Sequence, residues 1–433
     1  MQVLINPGII KWEGEKMNFI DLFAGAGGLS EGFTQAGFNP IAHIEINKHA
    51  SKTLETRSAY HYLKRNNKLK YYYEYQKSYN LSENERLLAR EKLFSYIPKD
   101  ELELVINEGI SDKTLPDMFK LIDNEMIRKN LPEVDLIIGG PPCQAYSLLG
   151  RARDDSSMEN DERNYLYKHY ARFLNYYSPR VFVFENVPGI LTAKKGAIYK
   201  NLKAYLKRVG YNLESFILNS KDFGIPQSRK RVILIGFRKD LDFPVFEFPN
   251  LEYQYTISDL FMDLPKLQAG EKYTDTKYSK RKCMSHSIIE VREKNDLLTH
   301  HHARTHNPRD KAIYSEAIKK WNTNHTRLKY TDLDKNLITH KNTKSFLDRY
   351  KVVAGDLNYS HTVVAHLSKD GHHFIHPDIS QLRSITVREA ARLQTFPDNY
   401  FFEGSRTANY VQVGNAVPPL MAKKIAKLIK SIL

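Results

Sequence analysis

The feature that most constrains the fold of this 433-residue chain is a series of short, almost wholly apolar runs. They are NFIDLF (18–23), NPIAHIEIN (39–47), VDLIIGG (134–140), RVFVFEN (180–186) and RVILIGF (231–237). Turn residues bound these runs, and such runs are typical of strands in a parallel sheet that is covered on both faces. We therefore interpret them as the strands of one buried sheet.

Amphipathic stretches such as 164–178 and 194–208 lie between these runs. This alternation predicts an α/β fold with a doubly wound, mostly parallel sheet, whose functional sites lie at the carboxyl ends of the strands. The pattern weakens over 245–380, a basic and His-rich region, and helix signals return at 386–394 and 418–433. We expect the weakly patterned region to form a smaller, mixed and irregular domain.

Charge and composition exclude several classes of protein. The chain has 65 Lys and Arg against 50 Asp and Glu, a formal charge of +15, which indicates a polyanionic partner. Two cysteines cannot form a disulfide framework at this length, so we expect a cytoplasmic protein. The N-terminus has no basic start followed by a long apolar run, so we expect no signal peptide. No run approaches the roughly 18 apolar residues of a membrane helix. Secreted, membrane-spanning and disordered classes are therefore excluded.

A glycine-rich turn, AGAGGLS, follows the first predicted strand. Glycines at this place let the backbone approach a ligand, and an acid that ends the second strand, here Glu45, can bind ribose hydroxyls. The dinucleotide pattern G-x-G-x-x-G is incomplete, because Gly25 and Gly27 fit but Ser30 takes the third place. The turn thus favours an adenosine ligand other than a nicotinamide or flavin dinucleotide; the alternative is a tight turn without a ligand.

The segment GGPPCQAYS (139–147) places Cys143 directly after a predicted strand. Two prolines fix the chain before Cys143, which makes it a better candidate nucleophile than an ordinary buried cysteine. Cys283 is expected in the core or in an exposed loop. The two cysteines stand too far apart in sequence to indicate a zinc site.

Polar residues also mark the ends of two other strands. Glu185 ends an apolar strand, where a carboxylate is costly unless it is paired or used. QSRKR (227–231) puts Arg229 and Arg231 on one side of an extended chain. Such guanidinium groups could bind a carboxylate, a phosphate or a base edge, and the alternative is a solvated basic strand start.

These segments, in this order, resemble the cytosine-5 DNA methyltransferase family of the bacterial restriction–modification type. The resemblance covers about 18–56, 132–238 and 360–433. It rests on FAGAGG, PPCQ, ENV, QSRKR, RSITVREAARLQTFPDNY (383–400) and VQVGNAVPP (411–419). It implies a sequence-specific enzyme that methylates carbon 5 of cytosine in duplex DNA and protects host DNA from a cognate restriction endonuclease.

The resemblance also implies roles for the candidate catalytic residues. The Cys143 thiolate would add to carbon 6 of a cytosine that has left the duplex stack, and carbon 5 would then accept a methyl group from S-adenosylmethionine. Glu185 would hydrogen-bond and protonate N3 of the ring, and Arg229 and Arg231 would position the base and this carboxylate. Loss of the carbon-5 proton and elimination of Cys143 would release the product.

Further roles follow from the same resemblance. The cofactor would contact Phe23, Ala24, Gly25, Gly27, Gly28, Glu45, Ile46, Pro142, Asn415 and Val417. The DNA would contact Gln144, Ser147 and Thr362. From the residues themselves we expect no metal and no membrane partner, and we expect a monomer. The family's acid–apolar pair that contacts the adenine is not clear in this sequence, where EGISD (108–112) is the nearest candidate.

The expected domain organisation is discontinuous. An N-terminal extension, 1–16, precedes a catalytic domain, 17–244, that carries an inserted basic helical element at about 57–131. A target-recognition domain, 245–380, is followed by 381–433, which returns to the catalytic domain. Within the target region, 271–353 contains about 19 Lys and Arg against about 10 Asp and Glu, which suits phosphate contact. Its histidine run, THHHARTHN, is not expected to bind a metal.

Three alternatives remain at this stage. One is an RNA cytosine-5 methyltransferase, against which the large basic target region argues. Another is a non-catalytic DNA-binding relative, which the presence of Cys143, Glu185 and both arginines disfavours. The third is a dinucleotide oxidoreductase, which the missing third glycine disfavours.

Overall fold

The computed structural model describes residues 17–142, 166–242, 244–251, 255–279 and 289–433. The predicted nucleophile Cys143 and its neighbours Gln144 and Ser147 lie outside the described residues. Cys283 and the N-terminal segment 1–16 also lie outside them.

The described elements alternate between strands and helices through the first half of the chain. The strands are β1 (Asn18–Leu22), β2 (Asn39–Ile44), β3 (Leu104–Ile106), β4 (Leu136–Gly139), β5 (Val181–Asn186), β6 (Tyr211–Asn219) and β7 (Lys230–Arg238). The first helices are α1 (Gly28–Gln35), α2 (Lys48–Arg65), α3 (Leu69–Lys77), α4 (Glu83–Ser95), α5 (Leu115–Arg128), α6 (Leu166–Tyr177) and α7 (Ala197–Arg208). The later helices are α8 (Ile257–Phe261), α9 (Pro308–Asn324), α10 (Val387–Leu393), α11 (Arg406–Asn415) and α12 (Pro419–Ile432).

The seven strands form one sheet in the order β3-β2-β1-β4-β5-β7-β6. Strands β1 to β5 are parallel, whereas β7 is antiparallel to both β5 and β6. The predicted doubly wound, mostly parallel α/β fold is therefore confirmed, and so are all five predicted strands. The sheet reverses its direction of winding between β1 and β4, which is where ligands bind in open sheets of this class.

Each face of the sheet is covered by its own apolar cluster. Phe19 in β1 contributes to one cluster and Ile20 to the other, because neighbouring residues of a strand point to opposite faces. On the first face, α1 packs against the last helix, α12. A Cβ at Gly32 would lie 2.4 Å from the Cβ of Ala422, so this glycine permits the close approach. The last helix thus packs against α1, the helix that follows β1.

The predicted insertion contains α3 and α4, but it also contains β3, an edge strand of the main sheet. A capping box begins α4, since the Ser82 hydroxyl accepts from the N–H of Glu85 and the Glu85 carboxylate accepts from the N–H of Ser82. Two tyrosines of α3 fix the element to the C-terminal segment. Tyr72 donates to the carbonyl of Asn399 at 2.8 Å, and Tyr75 donates to the carboxylate of Glu403 at 2.5 Å.

The region 245–380 is divided between two apolar clusters. Residues such as Leu260 and Val291 share the cluster that contains α1 and α12. A smaller cluster is formed by the side chains of α9 and the segments that follow it: Ile313, Tyr314, Ala317, Ile318, Leu328, Tyr330, Leu333, Tyr350, Val352 and Ile375. The polypeptide around α9 thus has a small core of its own. Across the described part of the chain, no helix is both long and apolar enough to span a membrane.

Candidate active site

The glycine turn after β1 leaves space for a ligand. Phe23 (φ 58°), Gly25 (φ 56°) and Gly27 (φ 77°) all have left-handed backbone conformations. A Cβ built on Gly25 would meet no atom within 4 Å, whereas one on Gly28 would lie 2.3 Å from the carbonyl oxygen of Val417. The turn is therefore open above Gly25 and closed against the C-terminal segment at Gly28.

Glu45 lies beside this turn, at the end of β2. Its carboxylate accepts hydrogen bonds from the N–H groups of Gly25 and Asn47, each at 2.7 Å. Burial raises the pKa of Glu45 above its ordinary value, against these two donors, which lower it. The neighbouring Ile46 side chain is 72% exposed and lies over Gly109. The site thus contains the Glu45 carboxylate, held by two hydrogen bonds, beside the solvent-exposed apolar side chain of Ile46.

Asn107 is a site residue that the sequence analysis missed. Its side-chain amide follows β3 and donates to the carbonyl oxygens of Glu45 and Ile46, at 2.9 and 3.0 Å. It thereby fixes the backbone that carries both predicted cofactor contacts. Glu108 and Gly109 of the EGISD segment follow directly, so this segment borders the same site.

A buried charge network lies in the sheet next to the site. The imidazole of His43 faces Glu103 at 3.1 Å and Asp21 at 3.8 Å. Burial alone would lower the pKa of His43, but the two carboxylates raise it to about 9. Through these contacts His43 links β1, β2 and the residue that precedes β3.

The carboxylate of Glu185 forms an ion pair with Arg231, with Nε of the arginine 2.5 Å from Oε1. Their side chains are only 14% and 10% exposed. Antiparallel pairing of β5 with β7 explains the contact, because it places the start of β7 beside the end of β5. Such a pair keeps a carboxylate in place at the carboxyl end of a central strand.

The turn that precedes Cys143 is held against the end of β5. The amide of Asn186 donates to the carbonyl of Pro141 at 3.2 Å. A Cβ at Gly140 would lie only 2.5 Å from Oε2 of Glu185. Asn186 and Gly140 were not predicted as site residues, although the ENV and GGPP motifs contain them. They bring the polypeptide before Cys143 next to the Glu185 carboxylate.

Arg229 is nearly fully buried and has a different environment. Its guanidinium donates to the carbonyl of Val363 at 2.6 Å and to that of Gly414 at 3.0 Å. The neighbouring Thr362 donates its hydroxyl to the carbonyl of Ser228 at 2.7 Å. Arg229 therefore joins the end of the target region to the segment that carries Asn415.

Histidines of the run at 300–306 form hydrogen bonds with neighbouring parts of the protein. His300 contacts Thr299 and the carbonyl of Phe402, and His301 contacts Thr386 and the carbonyl of Pro265. In the described ranges, no group of three or more His, Cys, Asp or Glu side chains is arranged to hold a metal ion.

Comparison with known proteins gives one consistent result. The family of C-5 cytosine-specific DNA methylases matches residues 17–71 and 112–431. The gap between these ranges falls inside the predicted insertion. The type II methyltransferase M.Bpa9945I of Bacillus paralicheniformis is 44% identical over 96% of this chain and 99% of its own. M.DdeI of Desulfomicrobium norvegicum is 33% identical over 95% of this chain and 88% of its own.

Solved structures agree with this assignment at the level of the fold. A prophage-encoded protein of E. coli superposes with a TM-score of 0.62 at 24% identity, over 96% of this chain and 99% of its own. The Entamoeba histolytica methyltransferase EhMeth gives a TM-score of 0.53 at 16% identity, over 97% and 99%. With the family match and the two bacterial relatives, these findings show that the chain belongs to the C-5 cytosine-specific DNA methylase family and is a DNA cytosine-5 methyltransferase.

Proposed function

We propose that this enzyme transfers a methyl group from S-adenosylmethionine to carbon 5 of a cytosine within a specific sequence of duplex DNA. The observation that carries the proposal is the Glu185–Arg231 ion pair, which lies against the turn that leads to Cys143. The acid, the guanidinium and the chain before the nucleophile meet at the carboxyl ends of β4 and β5. Sites of this fold class lie at this edge of the sheet.

The residues around the glycine turn fit S-adenosylmethionine. The open space above Gly25 suits close approach of the cofactor. Each oxygen of the Glu45 carboxylate already accepts one backbone N–H, and the one acceptor position that remains on each oxygen suits a ribose hydroxyl. The exposed Ile46 offers an apolar surface to the adenine ring. Phe23, Ala24, Gly27, Gly28, Pro142, Asn415 and Val417 complete the proposed contacts. The bound cofactor supplies an electrophilic methyl group.

Carbon 5 of cytosine is a poor nucleophile, and the proposed residues overcome this. The Cys143 thiolate adds to carbon 6 while Glu185 gives a proton to N3, which makes the ring an enamine. Carbon 5 would accept the methyl group, leaving S-adenosylhomocysteine, and would then lose its proton to a water molecule. Cys143 would leave as the carbon 5–carbon 6 double bond reforms, and Glu185 would take back the N3 proton. Arg231 keeps the Glu185 carboxyl in place, and Arg229 keeps the surrounding backbone in place.

The target cytosine has to leave the duplex, at a cost of about a few kcal/mol. Gln144 and Ser147 are proposed to contact the DNA at the vacated position, and Thr362 is proposed to lie near the flipped base. The names of the type II relatives support a role in protecting host DNA from a cognate restriction endonuclease. We further propose that the enzyme is cytoplasmic and monomeric.

The proposal is tested by incubating the purified protein with labelled S-adenosylmethionine and unmethylated bacterial DNA, followed by bisulfite sequencing. Protected cytosines within one short recurring sequence are expected. A matched reaction with the Cys143→Ala variant should give no transfer but should retain DNA binding. A folded, cofactor-binding wild-type protein that labels RNA but no DNA would overturn the choice of substrate, and turnover by Cys143→Ala would overturn the covalent mechanism.

A further inference from the structure

Residues 339–346, THKNTKSF, form an exposed surface loop in the target region, here called the Phe346 loop. The segment 335–347 contains Lys335, Lys341 and Lys344 but no Asp or Glu. The loop itself therefore carries a net positive charge, from Lys341 and Lys344. None of the proposed catalytic or cofactor contacts falls within it.

Phe346 is an unusual residue for an exposed loop. Its side chain is 57% exposed, and its backbone has a φ of 53°, in the left-handed region that an aromatic residue rarely adopts. Strained conformations of this kind persist only where the surrounding structure fixes them, and they are concentrated at functional sites. The surrounding polypeptide thus holds the backbone of Phe346 in this conformation.

The contacts that fix the loop converge on Arg349 and Asn342. The guanidinium of Arg349 donates to the carbonyl of Phe346 at 3.1 Å and to that of Asn342 at 2.8 Å. The side-chain oxygen of Asn342 accepts from the N–H groups of Lys344 and Ser345, at 3.1 and 3.0 Å. Because the guanidinium of Arg349 binds carbonyl groups of the loop itself, the backbone conformation of the loop is fixed before any partner binds.

The loop is anchored to the small core around α9. The hydroxyl of Tyr330 accepts from the N–H groups of Thr339 and His340, both at 2.8 Å, and Arg349 stacks on the Tyr330 ring at 3.9 Å. Tyr330 belongs to the small apolar cluster and not to the clusters of the catalytic sheet. Truncation of side chains at the loop tip should therefore leave the catalytic core intact.

We propose that the Phe346 loop reads the DNA sequence, with the ring of Phe346 against base edges in a groove and Lys341 and Lys344 on the flanking phosphates. This inference rests on the proposed function. An apolar tip between cations suits a duplex groove, where apolar contacts such as those to thymine methyl groups discriminate between base pairs and phosphates lie on either side. Phosphate contacts position a protein on DNA, and base contacts specify the sequence, so the two kinds of residue should behave differently.

The first test compares Phe346→Ala with the wild type. For the wild type and the variant, kcat/KM is measured on the cognate duplex and on a set of duplexes with single base-pair changes. Phe346→Ala should lose discrimination at one or two positions by about tenfold or more. The matched control is Leu88→Ala, which truncates another exposed apolar residue, on α4 (65% exposed), and should discriminate as the wild type does.

The second test concerns the lysines. Lys341→Ala and Lys344→Ala should weaken binding to all duplexes alike, and each should reduce the slope of log K against log salt concentration by about 0.9. Lys92→Ala, on α4, should leave the slope unchanged. Arg349→Lys keeps the charge but not the paired donors, so it should reduce discrimination while the salt slope stays at the wild-type value.

The outcomes separate the two proposals. If the wild type methylates no DNA, the proposed function fails, whatever the loop variants do. If the wild type is active and sequence-specific but Phe346→Ala and Arg349→Lys discriminate as it does, the loop does not read the sequence. Unchanged thermal unfolding of Phe346→Ala and unchanged binding of S-adenosylmethionine exclude a general loss of structure as the cause of an effect.

Discussion

Arg231 contacts the carboxylate of Glu185, whereas Arg229, two residues earlier, donates to backbone carbonyls of the target region and the C-terminal segment. Both arginines would lie on one side of a continuous strand, but β7 begins only at Lys230. The chain at Arg229 is held by hydrogen bonds from its N–H to Asn219 and Ser220. The two guanidinium groups therefore enter different environments: that of Arg231 faces the Glu185 carboxylate, and that of Arg229 binds backbone carbonyl groups.

Because the two arginines have different contacts, we expect lysine at position 231 to lower the reaction rate and lysine at position 229 to lower thermal stability. Arg231→Lys cannot keep the same contact with Glu185, so the single-turnover rate should fall by about 10²-fold with little change in thermal stability. Arg229→Lys cannot reach both carbonyl groups and should chiefly lower the melting temperature. Rapid-quench methyl transfer and thermal unfolding of both variants check this. Equal effects of the two substitutions on the chemical step would contradict it.

The sequence predicts the central strands well because each is an apolar run that the sheet buries on both faces. It does not predict β3, which has only three residues, or β6, whose burial varies along an edge strand. It also gives no sign that β7 runs antiparallel to β5. That orientation depends on contacts between distant segments, and it decides which arginine meets Glu185.

The same limit applies to the site. Phe23, Gly25 and Glu45 are predictable because they follow strands, where the fold places ligands. The position of Asn107 is not predictable, because its side chain follows the neighbouring strand β3 and binds the backbone carbonyls at the end of β2. The buried Asp21–His43 contact is equally invisible, because each residue lies within a run that otherwise appears apolar.

Gly140 should matter for catalysis and Gly139 for folding. A Cβ at Gly140 would lie 2.5 Å from the end of the flexible Glu185 side chain, whereas one at Gly139 would lie 2.3 Å from the backbone oxygen of Leu22. Gly140→Ala should therefore displace the carboxylate and slow single-turnover transfer by about tenfold or more while the protein stays folded. Gly139→Ala should lower the melting temperature sharply. A Gly140→Ala variant that transfers the methyl group at the wild-type rate would contradict this prediction, because the added methyl group would then not impair Glu185.

Glu45→Gln should weaken cofactor binding specifically. In the proposed complex the ribose hydroxyls donate to the acceptor positions of the carboxylate that Gly25 and Asn47 leave unused, and an amide offers only one acceptor oxygen. Loss of a hydrogen bond to a charged group costs about 1.5–3 kcal/mol, so Kd for S-adenosylmethionine should rise by about 10-fold to 150-fold. Isothermal titration with the cofactor measures this. DNA binding without cofactor serves as the control and should not change.

Arg392 should be essential for stability, although it lies outside the site. Its guanidinium, fully buried, pairs with Asp263 and Asp398, each at 2.6 Å. Arg392→Met would leave both carboxylates buried without this partner, at a cost of about 3–5 kcal/mol in the free energy of unfolding. The matched change at an exposed pair, Lys64→Met opposite Glu293, should cost less than about 1 kcal/mol. Denaturant titration compares the two, and similar costs would refute the argument.

Acid should destabilise the target region through its buried histidines. Burial lowers the pKa of His301 and His306 to about 4 and that of His361 and His376 to about 3. Because the unfolded chain binds these protons near pH 6.5 and the folded protein does not, this contribution to stability is complete above pH 6.5 and is lost as the pH falls toward 4.

Each such histidine should reduce the free energy of unfolding by about 1.4 kcal/mol per pH unit below pH 6.5. His43 should act in the opposite direction, since its pKa is raised to about 9: its contribution is complete below pH 6.5 and is lost as the pH rises toward 9. Urea unfolding from pH 4.5 to 9 should therefore show a maximum in the free energy of unfolding near neutral pH. His361→Gln should make this free energy fall less steeply below pH 6.5 and leave its fall above neutral pH unchanged. His43→Gln should have the reverse effect.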